Sequence, residues 1–311
     1  MSMKKLFCVL TALTCASIVF SSCGNKVPEV GDIHNAFPQP MAADKKLPED
    51  TKNLITEFDE SLFGTDVNIY YSNSKYSRDY EYAILDKLGF EPDQVQSDDD
   101  ESTFNRYKDG SKKLLINKND GTFSYDAKAY TLTSVTDTER LNTLGEEKLK
   151  ELDLLPKNYR RSGYAMQGSK VDLYAEDGDI NEYGPRFLQE IDGKEVVGSG
   201  IWICFNADGE LTEINSYWLD PIYAAKAKTL SFEEAYAKIG GDDSYITTEL
   251  STPLTKVEFD TVNAVYYKNP EYDYYVPMFR FEGTAWSGDR SDVIWAYVIA
   301  IPDLTDDMIQ K

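Results

Sequence analysis

Histidine is almost missing from this chain of 311 residues, which carries a single one, His34, and only four cysteines. Chemistry built on a serine–histidine pair or a histidine-rich zinc site therefore has little to draw on. Positive charge is also scarce. Lys and Arg total 32 against 54 Asp and Glu, a formal charge of −22. That balance excludes nucleic acid and bare anionic lipid as partners, because both repel an acidic surface. Long hydrophobic runs are absent except for Leu6–Phe20, which is shorter than the roughly 20 residues a spanning helix needs.

That run has a definite context. Lys4 and Lys5 precede it, and Ser21, Ser22, Cys23 and Gly24 follow. A charged start, an apolar centre and small residues at a cut site together read as an export signal. Cys23 directly after the small residues resembles the lipobox of bacterial lipoproteins. The resemblance implies loss of residues 1–22, lipid modification of Cys23 with palmitate-type chains, and a mature chain held on the membrane by that anchor. One acyl chain binds only marginally and two or more hold stably. Loss of Lys4 and Lys5 makes the remainder more acidic still.

The cysteines follow from this. Cys8 and Cys15 leave with the signal, and Cys23 is blocked by lipid. Cys204 is left alone among Trp202, Ile203 and Phe205, so it has no partner for an intramolecular disulfide. As a nucleophile it would need a neighbour that stabilises a thiolate, and its apolar neighbours fit a buried strand residue better.

Residues 23–50 carry Pro28, Pro38, Pro40 and Pro48 with little hydrophobic periodicity, and read as a flexible tether. His34 lies within it. Beyond the tether the chain alternates between helical and strand-like patterns. Tyr82, Ile84, Leu85 and Leu88 fall at helical spacing in Tyr80–Leu88. Short strands follow through 104–125, with Asp109-Gly110 and Asn119-Asp120-Gly121 as turns. A second helix is expected over Glu139–Leu152, with Thr143 and Glu146 as a capping box and Gly145 as a weak point. Asp98–Glu101 reads as a solvated loop.

A strand is expected at Val196–Phe205, a turn at 206–209 and a second strand through Leu211–Trp218. Ser231 and Glu234 form a capping box for a third helix, which Gly240 stops. In the next strand Val257, Phe259 and Thr261 should point one way, with Glu258 and Asp260 the other. Val276–Phe281 and Ile294–Ile301 complete an antiparallel set. The expected class is α+β, with helices packed on antiparallel meanders. The expected divisions are an N-terminal α+β region at 51–134 and two similar tandem units at 135–225 and 226–311.

The stretch Gly198 to Glu210, a following tryptophan and Leu230 to Ala235 resemble PepSY-related and YycH/YycI-like extracytoplasmic proteins. Ala264–Lys268, Val276–Gly283 and Ala300–Pro302 continue the resemblance, which spans about 135–303. It implies duplicated small units on the outer face of the cytoplasmic membrane in Gram-positive bacteria, and regulation through protein contacts. It supplies no catalytic residue. A lipobox stands here where YycH and YycI use a transmembrane helix.

Candidate chemistry is thin. Placing Gly121, Gly209 or Gly178 at the sixth position of an EF-hand loop puts Ile116, Cys204 or Leu173 at the first, so no loop fits. Glu176, Asp177 and Asp179 leave a looser cation site open. Acids are too abundant for any one pair to mark a hydrolase. No cofactor or metal is expected. Tyr272, Tyr274 and Tyr275, beside Pro270, are expected to form an exposed aromatic loop suited to protein or sugar contacts. For the whole cluster, with Tyr266 and Tyr267, core packing with cross-strand pairing is the favoured reading, and these three are only the members expected nearest the surface. The function expected is a non-enzymatic, membrane-anchored module that binds another extracytoplasmic protein. A cell-surface glycan is the alternative partner, and carboxylate-based hydrolysis ranks behind both.

Overall fold

The computed structural model describes residues 47–91, 103–127, 138–167, 182–206, 208–241, 244–250, 253–268 and 274–302. Cys23, His34, Asp98–Glu101, Glu176, Asp177, Asp179 and Tyr272 lie outside the described residues.

The chain opens with β1 (Thr51–Asn53), a 3-10 turn at Glu60–Leu62 and β2 (Asp66–Ser72). Helix α1 (Arg78–Lys87) leads into β3 (Phe104–Asp109), β4 (Lys112–Asn117) and β5 (Phe123–Asp126). Helix α2 (Thr138–Glu151) precedes β6 (Tyr159–Gln167), β7 (Glu182–Ile191), β8 (Lys194–Phe205), β9 (Leu211–Ser216) and β10 (Pro221–Lys228). Helix α3 (Phe232–Ala237) precedes β11 (Ser244–Thr248), β12 (Lys256–Lys268), β13 (Tyr274–Ser287) and β14 (Arg290–Ile299).

The expected α+β arrangement of helices on separate antiparallel meanders is overturned. The strands join into one 14-stranded sheet whose main path runs β10-β2-β13-β12-β8-β9-β5-β4-β3. It is mixed, because β12 pairs in parallel with both β1 and β8. The physical reason is long-range backbone pairing. At its first two residues β13 accepts β2 as a neighbour, and β2 in turn pairs with β10. Strand pairing therefore links distant stretches of chain, and the helices are short pieces laid on a sheet that dominates the molecule.

Local sequence still explains the elements. In β4, Leu114 and Ile116 are buried while Lys113 and Leu115 face out, the alternation a half-buried strand requires. Ser77 caps α1 by accepting from the Tyr80 amide at 3.1 Å, and Ile84 and Leu85 form its buried face. Helix α2 begins at Thr138, so Thr143 lies inside the helix and does not cap it. The Ser231–Glu234 capping box is present at α3. In β12 the expected alternation fails after Phe259. A bulge between Phe259 and Thr261 shifts the phase, leaving Thr261 exposed and Val262 buried.

Three clusters of buried side chains fill the molecule. The first joins Ile84 and Leu85 of α1 and Leu149 of α2 to Leu114, Ile203 and Ile214 of the sheet. The third sets Ala235 of α3 against Phe259, Phe279, Phe281 and Ile294. Between them Ile69, Ile191, Val196, Tyr266 and Tyr275 form a junction core from β2, β7, β8, β12 and β13. Each fully buried Phe or Ile contributes about 1.5–3 kcal/mol relative to exposure.

Candidate functional site

The first core does not close completely. Between α1 and the segment after α2, above β5, β7, β8 and β9, lies a cleft of about 530 Å3. That size falls within the roughly 300–1,000 Å3 typical of small-ligand sites. Tyr80, Ala83, Ile84 and Lys87 reach it from α1, at spacings of three and four residues that place them along one helix face. The opposite wall is set by the end of α2. Asp153 adopts a left-handed φ of 51°, and the amides of Leu154 and Leu155 both return to the Leu149 carbonyl. This turn carries Leu154, Leu155 and Pro156 along the cleft. Phe123, Ile201 and Ser216 form the floor, and Trp218 stands with Asp220 at one end.

The rim carries two ion pairs. Lys87 Nζ lies 3.1 Å from Asp153 Oδ2 and donates to the Asp153 carbonyl at 3.1 Å. Lys75 Nζ lies 3.3 Å from Asp220 Oδ2. In each pair the lysine is the more buried partner. Lys87 and Lys75 are 28% and 29% exposed, against 94% for Asp153 and 70% for Asp220.

Behind the floor is a buried polar network. Gln189 Nε2 donates to the Leu219 carbonyl at 2.7 Å, and Ser199 Oγ stands 2.6 Å from Gln189 Oε1. The Tyr275 hydroxyl donates to the same Leu219 carbonyl at 2.5 Å. Burial pushes the phenols of Tyr275 and Tyr80 well above the ordinary tyrosine range, so both remain donors. Tyr80 gives its proton to the Gly121 carbonyl at 2.9 Å. The network fixes the orientation of the buried Gln189 side chain, a residue that borders the cleft.

The sequence candidates fall elsewhere than expected. Tyr274 and Tyr275 are the first residues of β13, paired with Tyr71 and Tyr70, and both rings are buried. They are core residues, and their expected exposure in a loop is corrected. Pairing with β2 is the cause, since it carries the strand back over positions that Pro270 suggests are loop. Tyr275 nonetheless braces the cleft from behind through Leu219 and Gln189. Cys204 is fully buried in β8. Sequence reasoning missed Lys75, Lys87, Gln189 and Trp218 as site residues. Trp218 was visible as the tryptophan after β9, but nothing local marked it as a cleft wall.

Two further features surround the site. Glu81 is buried yet accepts from the Tyr76 hydroxyl and from Asn105 Nδ2, each at 2.9 Å, so it fastens α1 to β3. On the opposite face of the sheet, Trp202 and Tyr217 stand with ring centroids 5.1 Å apart, and the Arg186 guanidinium lies 5.7 Å from the Trp202 ring. Among the described residues no three His, Cys, Asp or Glu side chains gather to hold a metal ion. Among the same residues no helix is long and apolar enough to cross a membrane.

No family model and no curated protein matches this chain. Among solved structures it is similar to the YpeB C-terminal domain of Bacillus megaterium, at a TM-score of 0.36 and 11% identity, covering 77% of this chain and 97% of that one. It is also similar to an uncharacterised protein from Eubacterium rectale, at a TM-score of 0.37 and 9% identity, covering 92% of this chain and 99% of that one. Likeness at this level carries neither fold nor function across.

Proposed function

We propose that this chain is a membrane-anchored extracytoplasmic lipoprotein, acylated at Cys23, whose folded part is a non-enzymatic module that binds a segment of another extracytoplasmic protein. The cleft between Lys75 and Lys87 is the binding site. Its geometry is the observation that carries the reading: about 530 Å3, lined by Ile84, Leu155 and Trp218 and by the Lys75–Asp220 and Lys87–Asp153 pairs. A lining divided almost evenly between polar and apolar surface suits a peptide segment, which presents both. The charge of −22 supports solubility at an anionic membrane surface and disfavours nucleic acid. The PepSY-like and YycH/YycI-like character of residues 135–303, and a place on the outer face of the cytoplasmic membrane of a Gram-positive cell, belong to the same proposal.

The test is a photo-crosslinking residue at Ala83, which is exposed and lines the cleft. On intact cells the full-length protein should capture one discrete protein species from this position and not from Tyr223 on β10. Capture of none, or the same set from both positions, would contradict the reading.

A second reading is binding of a cell-surface glycan. The Trp202–Tyr217 pair favours it, because flat aromatic faces on a sheet stack against sugar rings. Glycan arrays probed with wild type and with Trp202→Ala would separate this from the first reading.

A further inference from the structure

We infer that the cleft takes the free carboxylate of a peptide that ends in an apolar side chain, an inference that rests on the cleft being the binding site. The rim pairs are unequal in a way that selects an anion. Each lysine is held in place mostly by burial of its stem, and Lys87 also by the Asp153 carbonyl at 3.1 Å. Each aspartate stands largely in solvent, where an ion pair contributes little. A ligand carboxylate entering the cleft can therefore replace Asp153 or Asp220 at small loss and meet an ammonium already positioned. The converse exchange, a ligand cation displacing a half-buried lysine, would strip a buried stem from the wall.

The rest of the cleft describes what precedes the carboxylate. Ile84, Phe123, Ile201, Leu154 and Trp218 offer an apolar lining for one or two side chains. Gln189 is 1% exposed, and its amide bonds the Leu219 carbonyl and the Ser199 hydroxyl, so it braces the floor from behind. In a chain of net charge −22, the cleft lining is balanced, with lysines 75, 87 and 157 against Asp153, Glu190 and Asp220, so it repels an anion less than the rest of the surface does. Such a carboxylate has two sources, the C-terminal tail of a partner protein or a free short peptide.

The test uses the full-length chain and two probes, acetyl-Gly-Gly-Leu with a free carboxylate and the same peptide as its C-terminal amide. The acid should bind about tenfold more tightly than the amide, the size of one charge-assisted hydrogen bond. Lys87→Met should remove that preference. Asp153→Asn and Asp220→Asn, which weaken the internal competitors, should each tighten the acid. Circular dichroism checks that each variant folds. Equal binding of acid and amide, no saturable binding, or weaker binding after either Asp→Asn change overturns the inference. Capture of a partner from Ala83 with no acid preference leaves the site and removes the carboxylate. Acid-selective binding with no protein captured keeps the carboxylate, assigns the ligand to free peptide and removes the protein partner.

Discussion

The Tyr70 hydroxyl on β2 lies 2.9 Å from each carboxylate oxygen of Asp192, 122 residues away at the turn between β7 and β8. Asn68 Nδ2 reaches the same carboxylate at 3.0 Å, and the Tyr266 hydroxyl donates to the Asn68 carbonyl at 2.8 Å. Asp192 and Gly193 both have positive φ, 51° and 71°, as a two-residue hairpin turn requires. The turn thus docks one half of the sheet onto the other beside the short parallel contact of β8 with β12. Tyr70→Phe should lower stability by about 0.5–1 kcal/mol, at the low end for a hydrogen bond because the group is partly exposed. Asp192→Ala should lose more, since it also places a non-glycine residue without a helpful side chain at positive φ. Urea unfolding of the two variants and their double mutant checks this; fully additive losses would show that the residues do not interact.

Alkaline pH should unfold the protein through its tyrosines. Burial pushes Tyr80, Tyr266 and Tyr275 above the ordinary range, and Tyr297 up to about 12. In the unfolded chain these phenols ionise near the ordinary tyrosine value of 10.0. Above that pH the unfolded state holds fewer protons, so stability falls as pH rises. The contribution is complete below about pH 10 and is lost on the way up through the folded values. Tyrosinate absorbance should rise together with loss of the circular dichroism signal. Full ionisation before any loss of structure would contradict the assignment.

Gly145 should resist improvement. In an exposed helix, Gly→Ala gains about 1 kcal/mol. Here a β-carbon at position 145 of α2 would stand 2.5 Å from Pro185 Cγ and 3.2 Å from Ile203 Cγ2. The glycine lets the helix lie close on β7 and β8, so Gly145→Ala should lower the melting temperature. A rise would show that α2 can lift without loss.

Ser231→Ala removes one half of a reciprocal cap on the six-residue helix α3. A loss of about 1 kcal/mol is expected in chemical denaturation. Glu234→Gln should lose less, because glutamine can still reach the Ser231 amide. Equal losses for the two would mean that charge, and not the hydrogen bond, holds the cap.

These residues also show what could be read from sequence. Ser231 and Glu234 are three positions apart, and their chemistry is complete within that span, so the cap was legible. The helix of α1 and the turn after Phe205 were legible for the same reason. Gly145 was visible but looked like a weakness, because its meaning depends on Pro185 and Ile203. Strict alternation puts Thr261 on the wrong face, since the bulge before it depends on pairing with β13. Tyr274 and Tyr275 read as loop residues from local sequence because their burial comes from β2, about 200 residues upstream. The cleft was illegible on similar grounds. Lys75, Lys87, Gln189 and Trp218 come from four separate stretches, and only the layering of helix on sheet brings them to one opening.

Lysine acetylation footprinting of the full-length protein, with and without its captured partner, addresses the cleft most directly. Lys75 and Lys87 should lose reactivity on binding, while Lys52 and Lys226, 50% and 41% exposed and away from the cleft, should not change. Unchanged labelling of Lys75 and Lys87 alongside protection of lysines elsewhere would contradict the cleft as the binding site.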